Sequence, residues 1–267
     1  MSNLFVTVLN MSVTAAFVIA ALCLARLALR RMRAPKWISC ALWAAAGFRL
    51  VFPFSIEGLF SLVPLNAEII PRDIAMRTIP RIDSGIRVID DAVSAVLPAA
   101  TPAASMNPLQ AWIAVGEYVW IFGVAAMVVY AANSYVRLVC RRDSVAAPFV
   151  YGFVKPKIHI PGGLSGEALR YVTLHEQTHI RRRDYLVKLF AFALLCVHWF
   201  NPFAWLAFAL LCADMEMACD ERVLRELGMG AKAGYSQTLL SLSINRRILS
   251  APPIAFGEGG IKERVNL

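Results

Sequence analysis

The chain has 267 residues, of which 58% are hydrophobic and 17% charged. Soluble domains are about 45–50% apolar and about 25% charged, so this composition excludes a disordered chain, a collagen-like chain and an ordinary soluble globule. It indicates a membrane protein with a modest aqueous part. The net charge of +9 excludes little until the basic residues are placed, because membrane proteins also collect Lys and Arg on the cytoplasmic side.

Residues 4–25 carry no charge over 22 positions. A helix of about 20 apolar residues crosses a hydrocarbon core. No basic residue precedes the run, as one would in a cleavable leader, so it reads as a retained span with its N-terminus outside. Arg26, Arg30, Arg31, Arg33 and Lys36 follow without an acid, which reads as a cytoplasmic loop. A second span is expected over 37–63, interrupted by Arg49 and Glu57, with Pro53 ending or kinking its helix. Arg49 is expected to pair with a neighbour or snorkel rather than to act chemically.

Residues 66–108 hold four Arg and five Asp or Glu, nearly cancelling, which suits an outer loop with a short helix over 87–96. A third span is expected over 109–136. Residues 137–188 then hold ten basic and four acidic residues, which returns the chain to the cytoplasmic side. None of the six Cys lies in the outer loop, so no disulfide is expected. These signals divide the chain into a membrane region at 1–136, a cytoplasmic-side domain at 137–250 and a C-terminal segment at 251–267.

His175-Glu176-Gln177-Thr178-His179 is an H-E-x-x-H motif. On a helix, positions i and i+4 share a face, so both imidazoles can reach one metal ion, with Glu176 placed as the base. Zinc suits this chemistry because it lowers the pKa of a bound water to about 7. Ser165 is the expected N-cap after Gly162-Gly163, with Glu167 in the first turn. Leu169, Val172, Leu174 and Ile180 are the expected packed face.

A catalytic zinc site needs a third protein ligand. His159 lies in an alternating, strand-like segment and is expected to be structural or to face substrate. Glu216 and Asp220, again i and i+4, are the better candidates: Glu216 as ligand and Asp220 as acceptor of a zinc histidine's outer N–H. Cys219 is a soft potential ligand as well, but it sits off their face, which favours packing. One continuous helix from His179 to Glu216 would hold the two about 55 Å apart. Asn201-Pro202 supplies a break, so 186–216 is expected to fold as a re-entrant or interfacial helical hairpin that returns Glu216 to the motif. The alternating segment 149–160, broken at Lys155-Pro156, reads as a β-hairpin. Its strand Phe149, Val150, Tyr151 either aligns an extended substrate or simply packs on the site helix.

The fold expected is a mainly α membrane protein: three spans and a zinc peptidase domain with a short β-hairpin and a helical hairpin. The stretch Ala147-Pro148-Phe149-Val150-Tyr151-Gly152-Phe153-Val154-Lys155-Pro156-Lys157-Ile158 resembles the SPF-x-x-G-x-x-KP-x-I stretch of BlaR/MecR-type membrane zinc peptidases. The resemblance continues through Leu169-Arg170-Tyr171, the H-E-x-x-H motif, Arg183-Asp184, His198-Trp199-Phe200-Asn201-Pro202, Glu216 to Asp220, Phe256-Gly257-Glu258 and Ile261-Lys262. It implies a gluzincin site on the cytoplasmic side, with one zinc ion on His175, His179 and Glu216 and with Glu176 as base. It also implies regulated proteolysis of a protein substrate, a cytoplasmic repressor or the chain itself. Family members that sense beta-lactams carry a penicillin-binding domain after the peptidase part. Ser-x-x-Lys does not occur in this sequence, so antibiotic sensing does not carry over.

Two other readings stand beside this one. A housekeeping membrane protease similar to CAAX-processing or heat-shock zinc proteases shares the motifs, but not the His-Trp-Phe-Asn-Pro stretch. A non-proteolytic metal-binding signalling scaffold would not need Glu176. The partners expected are the protein substrate, a lipid bilayer, and a sensor domain or a second copy of the chain. Nucleic acid is not expected, because the basic residues sit beside spans.

Overall fold

A computed structural model of the chain describes residues 2–32, 34–53, 69–77, 79–98, 107–140, 148–152 and 155–246. Residues 54–63 of the expected span 37–63, parts of the outer loop, residues 141–147, 153–154 and 247–250 of the 137–250 domain and the 251–267 segment with Phe256-Gly257-Glu258 lie outside the described residues.

Helices dominate: α1 (Ser2–Arg31), α2 (Lys36–Val51), α3 (Arg87–Val96), α4 (Pro108–Cys140), α5 (Gly166–Arg182), α6 (Asp184–Val197), α7 (Pro202–Leu227) and α8 (Lys232–Arg246). The short helix expected over 87–96 is α3. The one sheet among the described residues pairs β1 (Phe149–Tyr151) with β2 (Lys157–His159) in antiparallel register, Val150 opposite Ile158. Gly152, at φ +90°, starts the turn between them, a conformation that glycine adopts without strain.

Three helices are long and apolar enough to cross a membrane: α1, α4 and α7. Only the first part of the second expected span lies within the described residues. The second expected span, 37–63, is represented by a helix of 16 residues, about 24 Å long. It ends at Phe52, which is extended (φ −106°, ψ 124°), because the following Pro53 disfavours a helical residue before it. Arg49, near that end, donates to the Phe52 carbonyl at 3.4 Å. Of the described helices, α7 is the third with spanning length.

α1 packs against α2 and α7. Ala15, Ile19, Trp43, Ala46, Leu50 and Ala207 form their shared core, and the alanines let the backbones approach closely. α1 continues past Ala25, so Arg26 lies on the helix rather than in a loop. Arg26 is buried, with its guanidinium on both oxygens of Asp214 at 2.9 Å. Trp43 Nε1 donates to the same carboxylate at 2.8 Å. Breaking such a pair leaves an uncompensated buried charge, a cost of about 3–5 kcal/mol.

The chain turns at 198–201 between α6 and α7, where Asn201-Pro202 predicts a break. Asn201 Oδ1 accepts from the Phe203 amide at 2.9 Å, which caps α7, and Pro202 occupies the first helical position. Asn201 Nδ2 also donates to the Ser12 carbonyl at 2.9 Å. Ser12 Oγ lies 2.6 Å from His198 Nδ1, and His198 Nε2 lies 3.0 Å from the Leu50 carbonyl. The turn is therefore fastened to α1 and to the end of α2. α4 is fastened to it as well: Trp120 Nε1 donates to the Val197 carbonyl at 2.8 Å, and Trp199 Nε1 donates to the Trp120 carbonyl at 3.2 Å. α4 is otherwise open, with Trp112, Tyr118 and Phe122 about 70% exposed or more, an apolar exterior that a hydrocarbon core accommodates.

Candidate metal centre

α5 carries the H-E-x-x-H motif, and its buried residues are Tyr171, Val172, His175, Glu176 and Thr178. Ser165 stands at its N-cap position, but its side chain makes no capping hydrogen bond. Glu167 lies in the first turn as expected. Leu169 departs from the expected packed face: it is 37% exposed and borders an open cavity of about 400 Å³ with Thr173, Gln177 and Leu227.

The hairpin brings α7 back alongside α5. His175 Nε2 and His179 Nε2 lie 3.1 Å apart. Glu216 Oε2 lies 3.6 Å from the first and 3.5 Å from the second. Ligand atoms around a tetrahedral zinc at about 2.0–2.1 Å stand about 3.3–3.4 Å from one another, so this triangle fits a small divalent ion.

The outer nitrogens support that fit. His179 Nδ1 lies 2.7 Å from Asp184 Oδ2. His175 Nδ1 lies 2.8 Å from Tyr235 Oη, whose hydroxyl donates to Asp220 Oδ1 at 2.7 Å. Tyr235 Oη thus accepts from His175 Nδ1–H and donates its own O–H to Asp220. Burial pushes the Tyr235 phenol up, so it stays protonated and can do both. With each Nδ1 donating outward, both Nε2 lone pairs face the Glu216 carboxylate, an arrangement that a cation between them satisfies.

The electrostatics also favour positive charge there. Burial opposes an imidazolium at His175, but Cys219, Tyr235 and Asp220 outweigh it and raise its pKa well above the ordinary value. At His179 burial is likewise outweighed, by Cys219, Glu216 and Asp184.

Two further side chains stand against the imidazoles. Asp220 Oδ1 lies 3.4 Å from His175 Nδ1 and also reaches it through the Tyr235 hydroxyl. Cys219 is the other potential ligand, although its helical phase favours packing. It is fully buried, its Sγ lies 3.7 Å from His175 Nδ1, and with His175 and His179 it offers donor atoms all within 4.8 Å of one another. It approaches the nitrogen that already serves Tyr235, whereas Glu216 faces the two free Nε2 atoms. Cys219 also hydrogen-bonds His179, so Glu216 and Cys219 both stand within reach as a third donor beside the two histidines.

Glu176 is 8% exposed and has no hydrogen-bond or ion-pair partner among the described residues. His159 lies in β2 against Phe149, with ring centres 5.0 Å apart. Its Nε2 is buried without a partner among the described residues. The β-hairpin packs on α5.

Three residues escaped the sequence reading of the site. Asp184 was visible only inside the Arg183-Asp184 pair. It reaches His179 because Arg183, at φ 58°, takes the left-handed conformation that ends α5 and redirects the chain into α6. Lys188, one turn later, places Nζ 3.0 Å from Glu216 Oε1. Tyr235 comes from α8 and is 1% exposed; a lone Tyr in a mixed helix carries no sequence signal for such a role.

Comparison with known proteins agrees with this geometry. The chain is 30% identical over 135 residues to the Regulatory protein BlaR1 of Bacillus licheniformis, covering 48% of this chain and 22% of that protein. It is 27% identical over 131 residues to the Methicillin resistance mecR1 proteins of Staphylococcus aureus and Staphylococcus epidermidis, covering 46% of this chain and 22% of theirs. The model of the family described as BlaR1 peptidase M56 matches residues 6–146 and 136–267. A membrane-type helical bundle, an H-E-x-x-H helix facing a buried Glu, and a match along nearly the whole chain lead to one assignment: the chain belongs to the BlaR1 peptidase M56 family of metallopeptidases.

Proposed function

We propose that this chain is an integral-membrane zinc endopeptidase that cleaves a protein substrate at the cytoplasmic side of a bacterial-type inner membrane, in regulated proteolysis. The observation that carries the reading is the convergence of His175 Nε2, His179 Nε2 and Glu216 Oε2, with both outer imidazole nitrogens tied down.

A zinc ion held by these three residues would polarise a peptide carbonyl and lower the pKa of a water. Glu176 is the base. It follows His175 on α5, and its unpartnered carboxylate takes a proton from the attacking water and delivers it to the leaving amide nitrogen. Asp184, and Tyr235 with Asp220, hold the imidazoles in the tautomer and orientation that leave Nε2 free. Among the described residues β1 pairs only with β2, and Phe149, Val150 and Tyr151 align the substrate along its other edge as an added strand.

The basic residues of 137–188 support the cytoplasmic placement. α1 serves as a ruler for the hairpin: Asp214 is level with Arg26, and His198 is level with Ser12. The fourteen residues between Ser12 and Arg26 span about 21 Å. The hairpin tip thus stops eight residues short of Leu4, the start of the uncharged run, which supports a hairpin that enters from the cytoplasmic side and returns. The relative named as a regulatory protein supports a signalling role, with a cytoplasmic repressor or a second copy of this chain as the protein cleaved.

The test uses the full chain in detergent, with zinc content and casein cleavage as readouts. Wild type should bind one zinc and cleave. Glu176→Ala should keep the zinc and lose cleavage by about 10²–10⁴-fold. Equal cleavage by the two proteins would sink the proposal.

A further inference from the structure

α6 presents two charged side chains to the site from one face, four residues apart. Asp184 meets His179, and Lys188 meets Glu216. The two oxygens of Glu216 are thereby divided. Oε2 faces the two imidazoles, and Oε1 receives the Lys188 ammonium at 3.0 Å. Glu216 is 4% exposed and Lys188 16% at the side chain, so water is a poor substitute for this contact. Removing either partner would leave an uncompensated buried charge.

We infer that Lys188 is a positioning residue that keeps Glu216 a one-oxygen ligand and so keeps the fourth coordination position open for water and substrate. The inference rests on the proposed zinc site. A carboxylate binds a metal through one oxygen or two, and a free Oε1 beside a dication would turn onto it. Two bound oxygens occupy the place that a catalytic site must leave open. The ammonium prevents this in two ways. It engages Oε1 by a charge-assisted hydrogen bond, and it withdraws charge from a ligand that would otherwise outcompete water. Lysine suits the task because its point charge meets one oxygen, whereas the planar fork of arginine favours both.

The test loads the full chain in detergent with Co2+, whose visible absorption is intense when four-coordinate and several-fold weaker at higher coordination. Wild type should give the intense spectrum. Lys188→Met should still bind Co2+, show the several-fold weaker spectrum and hydrolyse casein about 10–100-fold more slowly with zinc. A folded Lys188→Met protein with the wild-type spectrum overturns the inference, and so does one that no longer binds Co2+. If methionine is not tolerated, Lys188→Gln serves the same readout, because its amide ends short of Oε1. Wild type that binds no Co2+ would overturn the zinc site itself, a result distinct from failure of the Lys188 inference.

Discussion

Tyr235 Oη stands 2.8 Å from His175 Nδ1 and joins that imidazole to the buried carboxylate of Asp220. The two residues are sixty positions apart in the chain, yet the tautomer of one depends on the hydroxyl of the other. Tyr235→Phe removes the hydroxyl and leaves Asp220 without this donor. The expected result is about 10–100-fold weaker zinc binding and a loss of about 1–3 kcal/mol of stability. Chelator competition and a denaturation midpoint measure the two, and wild-type values in both would show that the hydroxyl does not matter.

Glu216→Ala removes the carboxylate that faces both Nε2 atoms. Zinc content should fall to background, and casein cleavage with it. Cys219→Ala should retain zinc, because Cys219 faces the outer nitrogen of His175 instead. The opposite pattern in metal analysis of the two variants would make Cys219 the third ligand.

Asp184→Asn keeps the shape beside His179 and removes the charge. Its amide can face the imidazole with either end, so the tautomer is no longer fixed. Zinc affinity should fall by about tenfold or more, read by competition with a chromogenic chelator. Unchanged affinity would mean that the contact only packs α6 on α5.

Asn201→Ala loses two hydrogen bonds at the tip of the hairpin, the cap to Phe203 and the link to Ser12. The cap accounts for about 1 kcal/mol, and loss of the second hydrogen bond to the Ser12 carbonyl adds to it. A lower thermal midpoint is expected, with the metal affinity of the folded fraction unchanged. Asn201→Asp, which keeps the cap but not the donor to Ser12, should fall between.

Gly123 lies against the indole of Trp199, and a Cβ at that position would collide with the ring. Gly123→Leu should therefore displace Trp199 and break its bond to the Trp120 carbonyl. The cost is about 1–3 kcal/mol. A red shift in Trp emission and a lower melting temperature should appear together; no change in either would show that α4 shifts freely over the tip.

The parts of this molecule legible in the sequence are those written in short windows. The H-E-x-x-H spacing placed two imidazoles on one face of α5. Asn201-Pro202 located the turn that brings Glu216 back, and charge balance located α3 within a loop. The misses have a common cause. Lys188, Asp184 and Tyr235 act through contacts made only after helices pack, and nothing in their own neighbourhoods marks them. Arg26 looked like a loop charge because its partner, Asp214, lies 188 residues away. Cys219 looked like filler because helical phase alone ignores how closely α7 approaches α5. Of the second expected span, the described part is α2, which ends just before Pro53.

Because α8 supplies Tyr235, the order of synthesis matters. A ribosome that has finished α7 has already made His175, Glu176, His179 and Glu216, but the outer nitrogen of His175 still lacks its hydroxyl partner. The nascent chain therefore carries an incompletely supported metal centre until the last described helix has emerged and docked, and a truncation before residue 235 should yield a membrane-inserted protein with poor hold on zinc.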